Sequence, residues 1–313
     1  MTDGPLRDPG DGATRPGPWH VFGAGALGTV IAHRLAAAGV PCTLLSHRRS
    51  GTQDLVEGSR RHAVAVTHVD EVRAGGIGRL LLTTKAGQLE AAVQRALPLL
   101  APQAIALTTA NGLGFREHFA RGGQMLRLHR AVSTAAAYRD RTGAVILAAS
   151  GTTRVGGATV APAWFHDSLA RLPGWQWEAD IDAAIAVKFA LNCVINPLTA
   201  VRRCRNGALV EEADAAAALV ALCEETQTAL RALGMWAADD ALLPRVQRVC
   251  RDTARNRSSM LQDVLAGRKT EIDYLTGELL RRARRLGMEL PRSAALYEAV
   301  RALHPPTPPP ERG

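Results

Sequence analysis

Apolar and polar positions give the chain two textures. From Trp19 to about Asp180, short β-rich runs alternate with helical stretches: Trp19–Phe22, Pro41–Ser46, Arg79–Thr84, Ala104–Thr108, Val145–Ala149 and Arg154–Gly156. Strands that alternate with helices predict βαβ units and a parallel sheet covered on both faces. From Ile181 to Ala302 the β pattern stops. Apolar spacing there predicts helices over 181–203, 211–233, 240–254, 258–266, 269–286 and 293–302. Gly234, Gly267 and Gly287 with Pro291 mark stops. No internal repeat is visible. The pattern is that of an α/β domain at 19–180 and an all-α domain at 181–303. Residues 1–18, polar and rich in Gly and Pro, read as a disordered N-terminal extension, and 304–313 (HPPTPPPERG) as a Pro-rich disordered tail.

Composition agrees with two globular cores. The 313 residues are 47% hydrophobic and 21% charged, and aromatics are only 4%, so aliphatic and alanine side chains are expected to do the packing. The net charge of +9 comes from arginines scattered in pairs, with no block of five or six like charges and few aromatics between them. That argues against a base-stacking nucleic-acid surface and favours solvated helix faces plus a few arginines for an anionic small molecule, with an arginine-rich nucleic-acid protein as a competing reading. The five cysteines form no CxxC pair and no Cys/His set at zinc spacing, so no metal is expected and the thiols read as reduced in a cytoplasm. Residues 1–18 lack the apolar stretch of a secretory signal, and no run approaches ~18 uncharged apolar residues, so no membrane span is expected.

Chemistry enters at Gly23-Ala24-Gly25-Ala26-Leu27-Gly28. This GxGxxG follows the strand Trp19–Phe22 and opens a helix that ends at Gly39. In that setting Gly23 permits the tight turn, Gly25 lets a pyrophosphate approach the backbone, and Gly28 allows helix to pack on strand, with phosphates at the helix N-terminus. The first domain is therefore Rossmann-type. Its second strand ends in Ser46-His47-Arg48-Arg49, with no acid before Asp54. A carboxylate there would hold the ribose hydroxyls of NAD, whereas an arginine suits the 2′-phosphate of NADPH. Lys85 and Asn111 each follow a strand on the edge that carries the glycine turn, where a surface or turn role also fits.

The most informative helix is 181–203. It is nearly all apolar except Lys188, Asn192 and Asn196, spaced to lie on one face. A buried ammonium or amide is costly unless partnered. A carbonyl substrate taking hydrogen bonds from Lys and Asn would answer that cost, and burial would lower the lysine pKa toward proton donation. An exposed polar edge or an internal network fits the same spacing. A second polar cluster holds Ser258, Ser259, Gln262, Asp263, Thr270, Glu271 and Asp273. Helix capping by Ser258 or Ser259, and by Thr270 and Asp273, needs no function, but Glu271 and Ser259 also sit where a helical domain could present them to a cleft, and the spacing does not decide between these.

Together GAGALG (23–28), TTKAGQ (83–88), ANGLG (110–114), KFALNCVINPLTAVRRCRNGAL (188–209) and SSMLQDVLAGRKTEIDYLTGELLRRARRLG (258–287) strongly resemble the ketopantoate reductase family. The resemblance runs from about Trp19 to Arg301. It implies NADPH-dependent reduction of 2-dehydropantoate to (R)-pantoate, in pantothenate synthesis, in the cytoplasm. It further implies that the 23–28 backbone, Lys85 and Asn111 touch cofactor, with Asn111 also facing substrate, and that Ala137 lies against the cofactor. Lys188 would be the general acid, and Glu271 would contact the cofactor and organise the lysine. Asn192, Asn196, Asn206 and Ser259 would bind substrate. The family arginine for the 2′-phosphate aligns with His47, so that role passes to Arg48 or Arg49. A sibling reductase of another 2-keto acid and a non-catalytic NADPH-binding sensor are the competing expectations. The exposed helices of the second domain leave a homodimer open.

Overall fold

A computed structural model describes residues 17–121, 124–237 and 239–303. The expected tail 304–313 and all but the last two residues of the expected extension 1–18 lie outside the described residues. The chain forms two compact units. One takes the chain up to Ala110 and again from Phe115 to Ile181; the other takes Asn111–Gly114 and the chain from Asp182 onward. Four residues in the ANGLG turn thus pack with the helical unit rather than with the strands around them in sequence.

The first unit is built on β1 (Trp19–Phe22), β2 (Cys42–Ser46), β3 (Gly51–Glu57), β4 (Arg60–His68), β5 (Ile77–Leu82), β6 (Leu100–Thr108), β7 (His118–Arg121), β8 (Gln124–Ser133), β9 (Ala136–Arg139), β10 (Val145–Ala149), β11 (Thr153–Gly156) and β12 (Trp175–Glu178). Across the sheet the order is β12-β11-β8-β6-β5-β1-β2-β4-β3-β10-β9, with β7 beside β8. The centre is parallel: β1 runs beside β2 and β5, and β5 beside β6. Every residue of β1 is buried and Leu80, Leu81 and Leu82 are fully so, as strands covered on both faces require. Helices α1 (Ala26–Ala37), α2 (Ala86–Ala96) and the short α3 (Ala163–His166) complete the unit. The scarce aromatics do more packing than their number suggests. Trp19, Trp164, Phe165 and Trp175 share one core cluster with Val21, Val30 and Leu35, and Trp19 Nε1 donates to Ser168 Oγ at 2.9 Å.

Several strands exceed the sequence expectation. The β3–β4 hairpin carries Asp54, Glu57, Arg60 and Arg61, and only Leu55 and Val64 in it are buried. Its apolar signal is too sparse to stand out beside the central strands.

The second unit holds α4 (Ile181–Arg202), α5 (Ala208–Glu211), α6 (Ala213–Ala232), α7 (Leu242–Asp252), α8 (Ser259–Leu265), α9 (Thr276–Arg285) and α10 (Pro291–Ala302). By length and composition alone α4 is apolar enough to cross a membrane, although Asp182 and Lys188 interrupt its apolar run. However, 67% of its most apolar stretch is buried in the fold, which marks a core helix. The continuous helix expected over 269–286 is instead a 3-10 turn at Ile272–Tyr274 followed by α9. The Tyr274 carbonyl accepts the Leu113 N–H at 2.9 Å, so it is taken by the ANGLG turn instead of a helical ladder. No side chain caps α9, so the cap expected from Thr270 and Asp273 does not form there; Asp273 Oδ1 accepts the Tyr297 hydroxyl. Cys193, Cys223 and Cys250 are buried free thiols, and burial raises the Cys223 pKa to about 12 and that of Cys250 to about 11.

Glu278 anchors the start of α9. Its carboxylate accepts from Arg281 at 2.6 Å and Arg282 at 2.7 Å, and a Cβ at Gly114 would collide with it. Burial alone would raise the Glu278 pKa, but the Arg282 and Arg281 hydrogen bonds and charges outweigh it and hold the carboxyl below its ordinary 4.5. A carboxyl so depressed contributes stability in full above its unfolded pKa and loses it as pH falls through the folded value. Glu278→Gln should therefore cost about 2 kcal/mol near neutrality, with both arginines partly exposed and the pair correspondingly weakened. Denaturant melts of both proteins across pH check this. The gap should close below the ordinary carboxylate range, and a gap constant down to strongly acidic pH would refute it.

Candidate active site

In the first unit the glycine turn is fixed by packing at two of its glycines. Gly23 has φ +126°, and a Cβ there would lie 2.8 Å from Thr83 Oγ1. At Gly28 a Cβ would collide with the Gly23 carbonyl oxygen and with Thr83 Oγ1. Thr83, at the end of the β5 segment, donates to the Gly23 carbonyl at 2.9 Å. Sequence reading did not single it out, since its partner is 60 residues away.

Gly25 differs. It has φ −82°, which any residue adopts, and a Cβ there would meet nothing. It sits at the N-cap of α1 with no side-chain cap, and the first turn of α1 carries no acid. The opening N–H groups of a helix lack intrahelical partners and favour an anion. An open, uncapped helix N-terminus behind a glycine that packing does not demand fits the pyrophosphate of a dinucleotide. Ala24, Ala26 and Leu27 of the same turn pack partly against the core below.

Beyond β2, His47, Arg48 and Arg49 are exposed, and the Arg48 N–H donates to Ser46 Oγ at 3.0 Å. Lys85 takes the N-cap position of α2 and is half-buried. Ala137 lies on β9, partly buried against the core cluster. Arg139, two residues on, was not foreseen. Its guanidinium donates to the Ala24 carbonyl inside the glycine turn, to Gln53 Oε1, and to the Gly143 carbonyl at 2.8 Å.

His33, Glu57 and His62 hold ligand-type atoms within 4.8 Å of one another, a grouping the cysteine and histidine spacing gave no hint of. The two imidazoles pack at 4.2 Å with their planes tilted by 34°, and Glu57 already faces the Arg34 guanidinium at 3.8 Å, so ring contact and ion pairing account for the group.

In the second unit Asn111 and Glu271 come together, 160 residues apart in sequence: Asn111 Nδ2 donates to Glu271 Oε2 at 3.1 Å. The turn that presents Asn111 is locked behind it. Gly112 has φ +82°, and a Cβ there would collide with the Tyr274 carbonyl oxygen. With Nδ2 so engaged, Asn111 Oδ1 is left buried without a hydrogen-bond partner. Asn206 repeats the arrangement. Its Nδ2 donates to Thr253 Oγ1 at 2.8 Å, and its Oδ1 is buried and unpartnered. Two orphaned acceptors on expected substrate residues call for donors from a ligand.

The polar stripe of α4 is graded in burial. Lys188 and Asn192 are half-buried and Asn196, one turn on, is buried. α4 continues through Pro197, and just beyond it Thr199 Oγ1 bonds the Ile195 carbonyl at 2.8 Å and meets Ser258 Oγ at 2.7 Å. Ser258 also caps α8 by accepting the Leu261 N–H at 3.1 Å. Of the two candidate serines, then, Ser258 is the cap, while Ser259, the expected substrate residue, is exposed in the first turn of α8.

Comparison with known proteins bears on both units. The family model described as ketopantoate reductase PanE/ApbA matches residues 19–159, and that for the ketopantoate reductase PanE/ApbA C terminal matches 180–304. A 2-dehydropantoate 2-reductase of Yersinia pestis is 41% identical over 71% of this chain and 73% of its own. One from Vibrio cholerae is 32% identical over 90% of this chain and 96% of its own. Among solved structures, a dimeric ketopantoate reductase from Staphylococcus aureus matches with TM-score 0.77 at 19% identity, covering 91% of this chain and 98% of that one. A D-mandelate dehydrogenase with NADH and anilino(oxo)acetate matches with TM-score 0.77 at 20% identity, covering 91% and 97%. These two likenesses establish the Rossmann-like fold. With family models matched in both halves and a relative alike over nearly its whole length, the chain belongs to the ketopantoate reductases, a family of dinucleotide-dependent oxidoreductases.

Proposed function

We propose that this chain reduces 2-dehydropantoate to (R)-pantoate with NADPH, as a cytoplasmic step of pantothenate synthesis. The observation that carries the reading is the 32% identity to the Vibrio cholerae 2-dehydropantoate 2-reductase across 96% of that protein.

Bound NADPH supplies the hydride, and the protein supplies orientation and charge. The backbone of Gly23–Gly28 takes the pyrophosphate, Lys85 and Ala137 flank the cofactor, and Arg48 holds the 2′-phosphate. Lys188 Nζ gives its proton to the ketone oxygen as negative charge develops there. Glu271 steers Asn111, whose Oδ1 is left to accept from a hydroxyl, and helps organise the lysine. Asn206 Oδ1 offers a second acceptor of the same kind. 2-Dehydropantoate carries one hydroxyl beside its keto and carboxylate groups, which suits a site with both acceptors and donors. Asn192, Asn196 and Ser259 supply the donors for its carboxylate. Two copies of the chain, paired through the helical half, complete the reading, in line with the dimeric Staphylococcus aureus relative.

NADPH oxidation followed by absorbance, with 2-dehydropantoate beside other branched 2-keto acids, tests the reading. The expected result is the highest kcat/KM for 2-dehydropantoate. A higher value for another keto acid would make this a sibling reductase, and NADPH binding without any turnover would make it a sensor.

A further inference from the structure

β9 is the last strand on its side of the sheet, and Arg139 is its final residue. From there the guanidinium reaches the Ala24 carbonyl, beside the uncapped N-terminus of α1. Its three acceptors, Ala24 O, Gln53 Oε1 and Gly143 O, are all neutral. The acids nearby in sequence are engaged elsewhere. Asp54 pairs with Arg61 at 2.7 Å, and Asp140 turns its carboxylate to the N–H groups of Thr142 and Ala144. Among the described residues no ion pair includes Arg139 or Arg48.

Desolvation pulls the Arg139 pKa down, and the Arg48 charge pulls it further. Two guanidiniums that repel, neither in an ion pair among the described residues and one of them beside a helix N-terminus, form a surplus of positive charge. A tie between β9 and β3 alone would be better made by a neutral side chain. His47, meanwhile, occupies the position at the end of β2 where the family resemblance expects an arginine. Arg139 reaches the glycine turn from the edge strand β9.

We propose that Arg139 and Arg48 jointly clamp the 2′-phosphate of NADPH, which makes Arg139 a specificity-determining residue for NADPH over NADH. The proposal rests on the dinucleotide reading given under Proposed function. Arg139 approaches from β9, Arg48 from the end of β2, and the Ala24 carbonyl holds the Arg139 fork in place. Charge-assisted, fork-like bonds to phosphate are the strongest use of an arginine pair.

Fluorescence titration of the full chain with NADPH and NADH tests this, using wild type, Arg139→Met and Arg48→Met. Either substitution should weaken NADPH about tenfold, the scale of one lost charge-assisted bond, and leave NADH within about threefold. Equal losses for both cofactors would mean that Arg139 only braces the turn or serves the pyrophosphate, and would overturn the proposal. A harmless Arg139→Met would overturn it as well. Should a variant fold poorly, Arg139→Lys keeps a charge without the fork and should fall between wild type and Arg139→Met for NADPH only. On the wild type, adenosine 2′,5′-bisphosphate should displace cofactor at least about tenfold better than adenosine 5′-monophosphate, and parity would count against the clamp. If the wild type binds neither dinucleotide, the dinucleotide reading itself falls, a result distinct from all of these.

Discussion

Lys188→Ala should lower kcat for keto-acid reduction by at least ~100-fold, the scale of a lost general acid, while the dissociation constant for NADPH stays within about threefold. The split follows from where the groups lie. On the proposed reading the glycine turn and the arginines of the sheet unit bind the cofactor, whereas Lys188 stands on α4 of the helical unit. Lys188 is half-buried rather than part of the apolar core, so truncating it should leave folding nearly intact. Stopped-flow turnover with saturating NADPH, beside a thermal melt, separates the two. Lys188→Arg sharpens the test, because a guanidinium keeps the positive charge but does not release a proton in this pH range. If charge alone matters, Lys188→Arg restores most of the rate; if proton donation matters, it stays close to Lys188→Ala. A kcat near wild type for Lys188→Ala would end the assignment.

What the sequence made legible depends on how local each constraint is. The glycine turn was readable because its strand–glycine–helix setting lies within one short stretch, whereas the structure separates its glycines: packing demands Gly23 and Gly28 but not Gly25. The central strands were readable because burial on both faces demands an unbroken apolar run, as in Leu80-Leu81-Leu82. The edges were not. β3, β4 and β9 carry exposed charges, and their pairing is decided by neighbours rather than by their own residues. The helix expected at 269–286 failed for a related reason. Its local periodicity was sound, but Leu113, more than 150 residues earlier, claims the Tyr274 carbonyl.

The candidate site divides along the same line. Helical spacing put Lys188, Asn192 and Asn196 on one face, but their graded burial is set by what packs on α4 and is absent from the helix itself. Asn111 and Glu271 were named separately, and nothing local announced that one donates to the other. Arg139 carries no motif at all. Its meaning comes from a side chain crossing from β9 to a turn 115 residues earlier. Position along the chain names the candidate groups, and long-range closure decides which of their atoms are engaged by the protein itself.

That distinction gives the second strong test, at two glycines three residues apart. Gly25→Ala should leave stability almost unchanged, because its backbone suits alanine and the new methyl meets no protein atom. On the proposed reading the same methyl would stand where the pyrophosphate approaches the N–H groups of α1. NADPH affinity should then fall ~10–100-fold, as one or two charge-assisted bonds are lost. Gly28→Ala should behave differently. Its methyl collides with the Gly23 carbonyl oxygen and Thr83 Oγ1, both held in place by the turn and by β5, so the packing of α1 on the sheet must shift. A clash of that kind costs ~1–3 kcal/mol, a fall in Tm of several degrees for a domain of this size, and cofactor binding should weaken with it. Thermal melts and NADPH titrations on the two variants separate a glycine kept for a ligand from one kept for packing. Normal NADPH binding by a stably folded Gly25→Ala would remove the pyrophosphate from this turn, and with it the physical basis for placing any dinucleotide there.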